Sequence, residues 1–214
     1  MSIQRTEFLR FIKLLADNDC LKHVIVIGSW AEFIYKETSM MPGFEPNIKT
    51  LDVDFLIRNM RRPSPPKSIT ALAKAEGYLI DKDVINGTTK IMDRSGLEIE
   101  FLIGKIGAGE ETAIDTNLGI SAQSLRHMQL LLKNAVQVRY MGMKLYVPLP
   151  EAYALHKVII NGQRGRKQEK DRQAVMNLWP YLNREILNEL YEKLSKKEKK
   201  VVDGFMQEQQ LSIE

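Results

Sequence analysis

The 214-residue chain has one cysteine, three histidines and no long apolar run, and each scarcity excludes something. A lone Cys20 excludes an internal disulfide and a zinc set built on thiolates; it reads as a bare buried thiol in a reduced, cytoplasmic protein. His23, His127 and His156 have no metal-ligand spacing and read as structural or surface residues. No stretch approaches the roughly 18 apolar residues that a membrane helix needs, so no membrane association is expected. Met1 to Cys20 is not a signal peptide, because Arg5, Glu7, Arg10 and Lys13 interrupt its apolar positions. There is no internal repeat and no low-complexity tract.

What remains is a chain that can build a core, with 44% hydrophobic and 27% charged residues. Its +4 charge is uneven. From His156 to Lys200 there are 12 Lys or Arg against 6 Asp or Glu. Such a basic part suits a polyanion such as RNA, the phosphates of a nucleotide, or simply a solvated helical face.

Periodicity and turn signals predict helices over 3–18 and 30–37 and strands over 24–27 and 51–57. Loop 39–49 separates them, and Arg61-Arg62-Pro63-Ser64-Pro65-Pro66 follows as a stiff exposed connection. A helix over 68–76 ends at Gly77. Strands follow over 78–85, 88–93 and 97–103, turning at Asn86-Gly87 and Ser95-Gly96. Residues 104–120 read as a Gly-rich loop, and 121–133 as a helix capped by Ser121. A hairpin turns at Met141-Gly142 between strands 135–140 and 143–147. Helices follow over 150–161, 167–179, 183–194 and 196–209. The fold class is therefore α+β: a mixed sheet with flanking helices over 1–148, then a helical C-terminal domain over 149–214. Trp30 and Trp179 are expected in the core.

Two strings carry chemistry. Gly28-Ser29 ends the apolar run Val24–Ile27 and opens a helix, so it offers backbone N–H groups to a phosphate. Asp52-Val53-Asp54 lies in a strand, where alternation puts both carboxylates on one face. A third carboxylate comes from the apolar strand Leu97-Glu98-Ile99-Glu100-Phe101-Leu102, with Glu100 preferred over Glu98. Carboxylates inside such strands are costly unless metal-bound or paired. Two Mg²⁺ ions held by two or three carboxylates, beside a phosphate cradle, suit attack of a hydroxyl on the α-phosphate of an NTP.

Together Gly28-Ser29, Lys49-Thr50-Leu51-Asp52-Val53-Asp54 and Glu100-Phe101-Leu102 resemble the motifs of polymerase-β-like nucleotidyltransferases. Thr50 to Asp54, Lys157 in His-Lys-Val-Ile, and Lys170-Asp171 resemble the AbiEii-like subgroup, which includes toxins of toxin–antitoxin systems. The chain departs from that subgroup at Ala174, where Asp is common. The resemblance implies that Asp52, Asp54 and Glu100 hold two Mg²⁺ ions and that Glu100 helps deprotonate the acceptor. It implies that Gly28 and Ser29 cradle the NTP phosphates, that Lys157 touches a phosphate with Lys170 nearby, and that an antitoxin is a partner. Three readings stand: transfer to RNA or protein, an aminoglycoside-type transferase (Gly28-Ser29-Trp30-Ala31 fits that class too), and a catalytically silent nucleotide-binding module.

Overall fold

The computed structural model describes residues 3–46, 52–61, 63–105, 107, 109–162, 165 and 168–213. Lys49, Thr50 and Leu51 of the second motif, Arg62 of the proline-rich connection, and Arg164, Arg166 and Lys167 of the basic stretch lie outside the described residues.

The sheet is built from strands whose two faces differ in kind. In β2 (Asp52–Ile57) Val53 and Phe55 are buried while Asp52 and Asp54 reach the other face. In β5 (Glu98–Gly104) Ile99, Phe101 and Ile103 are buried, opposite Glu98 and Glu100. These two strands run parallel in the middle of a seven-stranded sheet. β1 (Val24–Ile27) pairs antiparallel with the outer edge of β2. On the far edge of β5, its first half pairs with β4 (Thr89–Met92), which in turn pairs with β3 (Leu79–Lys82). The parallel pairing requires a crossover, and residues 58–97 supply it, carrying α3 (Ile69–Ala75), β3 and β4.

The apolar face is covered by α1 (Ile3–Asp17) and α2 (Ser29–Glu37). The rings of Phe55 and Phe101, paired in register, stack at 5.4 Å, and Phe11 of α1 packs on both at 5.7 and 6.4 Å. Trp30 is a core residue, stacked on Phe8 at 4.1 Å. Trp179 and Cys20 are buried as well.

The structure corrects the reading of 104–133. The segment expected as a helix capped by Ser121 begins instead as strand β7 (Ser121–Leu125), and only Gln129–Lys133 is helical (α4). Ala122 and Ser124 are buried in alternation, a strand period. β4 covers only Glu98 to Glu100, so Leu102 to Gly104 need another partner, and β7 supplies it in parallel. The expected Gly-rich loop contains a short strand, β6 (Ala113–Asp115), antiparallel to β7. The turn at Asn86-Gly87 is wider than two residues: the Asp83 carboxylate accepts the backbone N–H groups of Ile85 and Asn86 and so folds 83–88.

A separate hairpin, β8 (Ala135–Tyr140) and β9 (Met143–Pro148), turns through Met141 (φ +47°) and Gly142 (φ +80°). It lies beside β1. The helices α5 (Pro150–Asn161), α6 (Gln168–Leu178), α7 (Arg184–Glu192) and α8 (Lys196–Gln209) follow as expected. α5 is central among them and almost wholly buried. The buried hydrophobic residues of the sheet and of these helices form one continuous cluster. Among the described residues no helix is long and apolar enough to cross a membrane.

Candidate active site

The site begins at the end of β1. Ile27 faces Asp54 across the ladder, and the chain then turns at Gly28 (φ +66°, ψ −158°) into α2. That conformation belongs to glycine. Space demands glycine too, because a Cβ here would stand 2.6 Å from Asp54 Oδ2. The backbone at the start of α2 is thus brought against the carboxylate that β2 presents. The first turn of a helix carries N–H groups that its own ladder leaves without acceptors, at the positive end of its dipole.

On its other side Asp54 is in register with Glu100, and Asp52 with Glu98. Four carboxylates therefore share one face of two adjacent strands. The next strand adds a cation: Lys90 of β4 is in register with Glu100, forms an ion pair with Glu98, and has its Nζ 3.5 Å from Glu100 Oε1. Burial, then the charges of Asp54 and Glu98, push the Glu100 carboxyl above its usual range, with Lys90 opposing.

Gly28, Asp52, Asp54, Lys90 and Glu100 line one cleft of about 560 Å³, within the ordinary range for a small-molecule site. Its opposite wall is α5, through Tyr153, His156 and Lys157. The Lys157 ammonium donates to Asp171 Oδ1 at 2.8 Å, with the two side chains 12% and 3% exposed, and lies 5.0 Å from the centre of the Tyr153 ring. Tyr153 donates its hydroxyl to Glu32 Oε1 of α2 at 2.9 Å. Burial lifts the Glu32 carboxyl, against the pull of Lys157 and of the Tyr153 hydroxyl. A buried polar chain thus ties the helix that starts at the Gly28 turn to α5 and α6. A buried carboxylate held this way is costly unless its partners stay in place.

Of the residues singled out in the sequence, Gly28, Asp52, Asp54, Glu100 and Lys157 all line this cleft. Ser29, the first residue of α2, is half-buried and is not among the lining residues. Lys170 sits on an exposed position of α6 outside the lining; its neighbour Asp171 is the residue that turns inward. The sequence reading missed Lys90, Glu32 and Tyr153. Lys90 had a usable signal, since Thr89 to Met92 is a strand in which only Ile91 is buried. It also missed Arg126 and His127, which reach the cleft only because 121–125 is a strand.

All the carboxylate donors are oxygen, the chemistry preferred by Mg²⁺, and the close approach of the Gly28 backbone to Asp54 fits a phosphate held beside an ion. Among the described residues no three carboxylate, thiolate or imidazole groups converge into a ready cage. Glu98 and Glu100 instead share Lys90.

The class of protein comes from sequence comparison and from the fold. A family model described as Nucleotidyltransferase matches residues 6–198, so the chain belongs to that family. No curated protein matches its sequence. Among solved structures, it is similar to an antigenic nucleotidyltransferase-like protein from Paracoccidioides brasiliensis, with 15% identity and a TM-score of 0.54, over 94% of this chain and 88% of that one. It is also similar to the antibiotic-resistance factor ANT(2'')-Ia, with 13% identity and a TM-score of 0.50, over 89% of this chain and 90% of that one. At these identities the likeness is one of fold. As a member of its family the chain is an enzyme that moves an NMP from an NTP to an acceptor.

Proposed function

We propose that the protein transfers an NMP to a hydroxyl of an RNA acceptor with the help of Mg²⁺, and that residues 1–148 form the catalytic domain and 149–214 a helical domain that closes the cleft. The observation that carries the catalytic part is the placement of Asp54 between Gly28 and Glu100 on adjacent strands, inside a cleft walled by Lys157. In this reading Asp52, Asp54 and Glu100 hold the ions. When bound, those ions supply charge that offsets the developing negative charge on the phosphoryl and leaving groups. Gly28 and the start of α2 hold phosphate oxygens through backbone N–H groups. Lys157, preorganised by Asp171, faces a phosphate of the NTP. Glu100 also helps take the proton of the attacking hydroxyl.

The acceptor is argued from the rim. His127 lines the cleft, and its Nδ1 lies 3.1 Å from Glu198 Oε1, in the first turn of α8. That turn also carries Lys196, Lys197 and Lys199, with Lys200 next, so a cationic helix end starts beside His127, a residue of the cleft. A polyanion suits such a rim. The toxin-like AbiEii subgroup fits the same reading, because its two C-terminal motifs meet here as the Lys157–Asp171 pair. A second reading, an aminoglycoside-type acceptor, is supported by Asp83 and Glu111 in the lining. Hydrogen bonds from the backbone of Asn86 and Ile85 hold Asp83 below the usual carboxylate range.

The test is transfer of label from each α-³²P-NTP to total RNA and to an aminoglycoside panel, with Mg²⁺, beside Asp54→Ala. Label in RNA that the variant loses is the expected result. Label confined to an aminoglycoside overturns the RNA acceptor, and label that survives in Asp54→Ala overturns the metal assignment.

A further inference from the structure

Lys90 is the feature of this cleft that the proposed chemistry leaves without a task. It stands on β4 in the middle of three paired strands, with Asp81 opposite on one side and Glu100 opposite on the other. Its ammonium bridges Glu98 and Glu100, and its side chain is only 28% exposed. The carboxylates of Asp52, Asp54, Glu98 and Glu100 lie on that same face. A cation belonging to the protein therefore sits where a divalent ion held by Glu100 would feel it directly.

We propose that Lys90 is a built-in counter-cation that competes with the divalent ion for Glu100, keeps Glu98 out of the metal set, and so makes firm metal binding depend on arrival of the NTP. The physical reasoning is electrostatic. Without Lys90, four neighbouring carboxylates repel one another and attract any divalent ion strongly. With Lys90 in place, Glu98 and Glu100 are already partly compensated. An NTP brings triphosphate oxygens that add ligands and negative charge, and these restore the balance in favour of the ion. The arrangement explains why Glu98, as well placed by strand alternation as Glu100, is a partner rather than a ligand. Its Oε1 faces the ammonium as an ion pair. A unit charge about 4–6 Å from a carboxylate changes its proton affinity by roughly one to three powers of ten, and a divalent ion at the same carboxylate feels the same field with twice the charge.

This inference rests on the metal-assisted reading above, and the experiment separates the two. Mn²⁺ serves as the probe on the full chain, its binding followed without nucleotide by the loss of the free-ion paramagnetic resonance signal and, with a non-hydrolysable ATP analogue, by the change against the protein-free Mn²⁺–nucleotide complex. Four proteins are compared: wild type, Lys90→Met, Lys90→Arg and Lys90→Met/Asp54→Asn. Without nucleotide, wild type is expected to bind weakly and Lys90→Met at least about tenfold more tightly, while Lys90→Arg stays within about twofold of wild type. The gain should vanish in the double variant. The metal-free Lys90→Met protein should melt below wild type and be raised further by Mn²⁺ than wild type is, which also reports that it folds. A plain cross-strand ion pair predicts a small loss of melting temperature with unchanged Mn²⁺ affinity. That result, with normal Mn²⁺ binding by wild type plus nucleotide, overturns the role of Lys90 and leaves the metal site standing. Absence of Mn²⁺ binding in every protein, even with nucleotide, overturns both.

Discussion

Replacing Gly28 by Ala tests whether the phosphate turn and the Asp54 carboxylate are one device. Two costs add. The backbone at φ +66°, ψ −158° lies in a region essentially closed to residues with a Cβ, worth about 1–3 kcal/mol. The new methyl would also stand 2.6 Å from Asp54 Oδ2, too close for any real contact, so the carboxylate must leave its rotamer at about 0.5–1.5 kcal/mol. Together these come to about 2–4 kcal/mol, which for a chain of this size lowers the melting temperature by roughly 5–15 °C. Activity should suffer more than stability, since displacing a reacting group by about 1 Å costs about 10²-fold in rate. Gly77→Ala is the matched control. Gly77 has φ +82° and would place its Cβ with nothing within 4 Å, so it reports the backbone cost alone, about 1–2 kcal/mol, with transfer unchanged. The assay is thermal denaturation of the metal-free proteins beside the initial rate of NMP transfer at saturating NTP. If Gly28→Ala transfers at the wild-type rate, or melts no lower than Gly77→Ala, the Gly28–Asp54 contact does not hold the site and the reasoning fails.

Three other variants probe the buried chain behind the cleft. Lys157→Met removes the ammonium that pairs with Asp171, 3% exposed; a loss of about 3–5 kcal/mol in urea unfolding is expected, and Lys157→Met/Asp171→Leu should regain most of it while NTP affinity stays poor. A double variant as unstable as Lys157→Met would show that the pair is not what holds α5 to α6. Glu32→Gln tests pH linkage. Burial raises the folded carboxyl above its ordinary value, so protonation of Glu32 contributes stability that is complete below about pH 4.3 and lost as pH rises through the raised value. The melting temperature of Glu32→Gln relative to wild type should therefore climb between pH 4 and pH 8, and a gap independent of pH would count against a perturbed Glu32.

Much of this was legible because the signals were local. Four apolar residues then Gly-Ser, an alternating Asp-x-Asp strand, and a run of amphipathic helices each declare themselves within a few residues. The failure at 121–133 came from a conflict that a window cannot resolve. Ser121-Ala122-Gln123-Ser124-Leu125 has weak strand character, and its strand state is imposed by the vacant half-edge of β5, set some twenty residues earlier. Arg126 and His127 were lost with it. Lys90, Glu32 and Tyr153 were missed for a different reason. A lone lysine, glutamate or tyrosine has no signature, and their meaning arises only from partners that are 8 to 121 residues away.

The precision of the site is imposed by the half of each strand that does no chemistry. Val53 and Phe55 face the core on β2, as Ile99 and Phe101 do on β5, and the stacked pair Phe55–Phe101 fixes which residue of one strand lies beside which residue of the other. A slip of β2 by one residue would drive both aspartates into the hydrocarbon packed under α1 and push Val53 and Phe55 into the cleft. The burial cost of two carboxylates and the exposure of an aromatic ring make that register prohibitive. The alignment of Asp54 with Gly28 and Glu100 therefore needs no bond between the carboxylates themselves, which repel. It is enforced from beneath by aromatic packing, so the polar face can hold its carboxylates side by side.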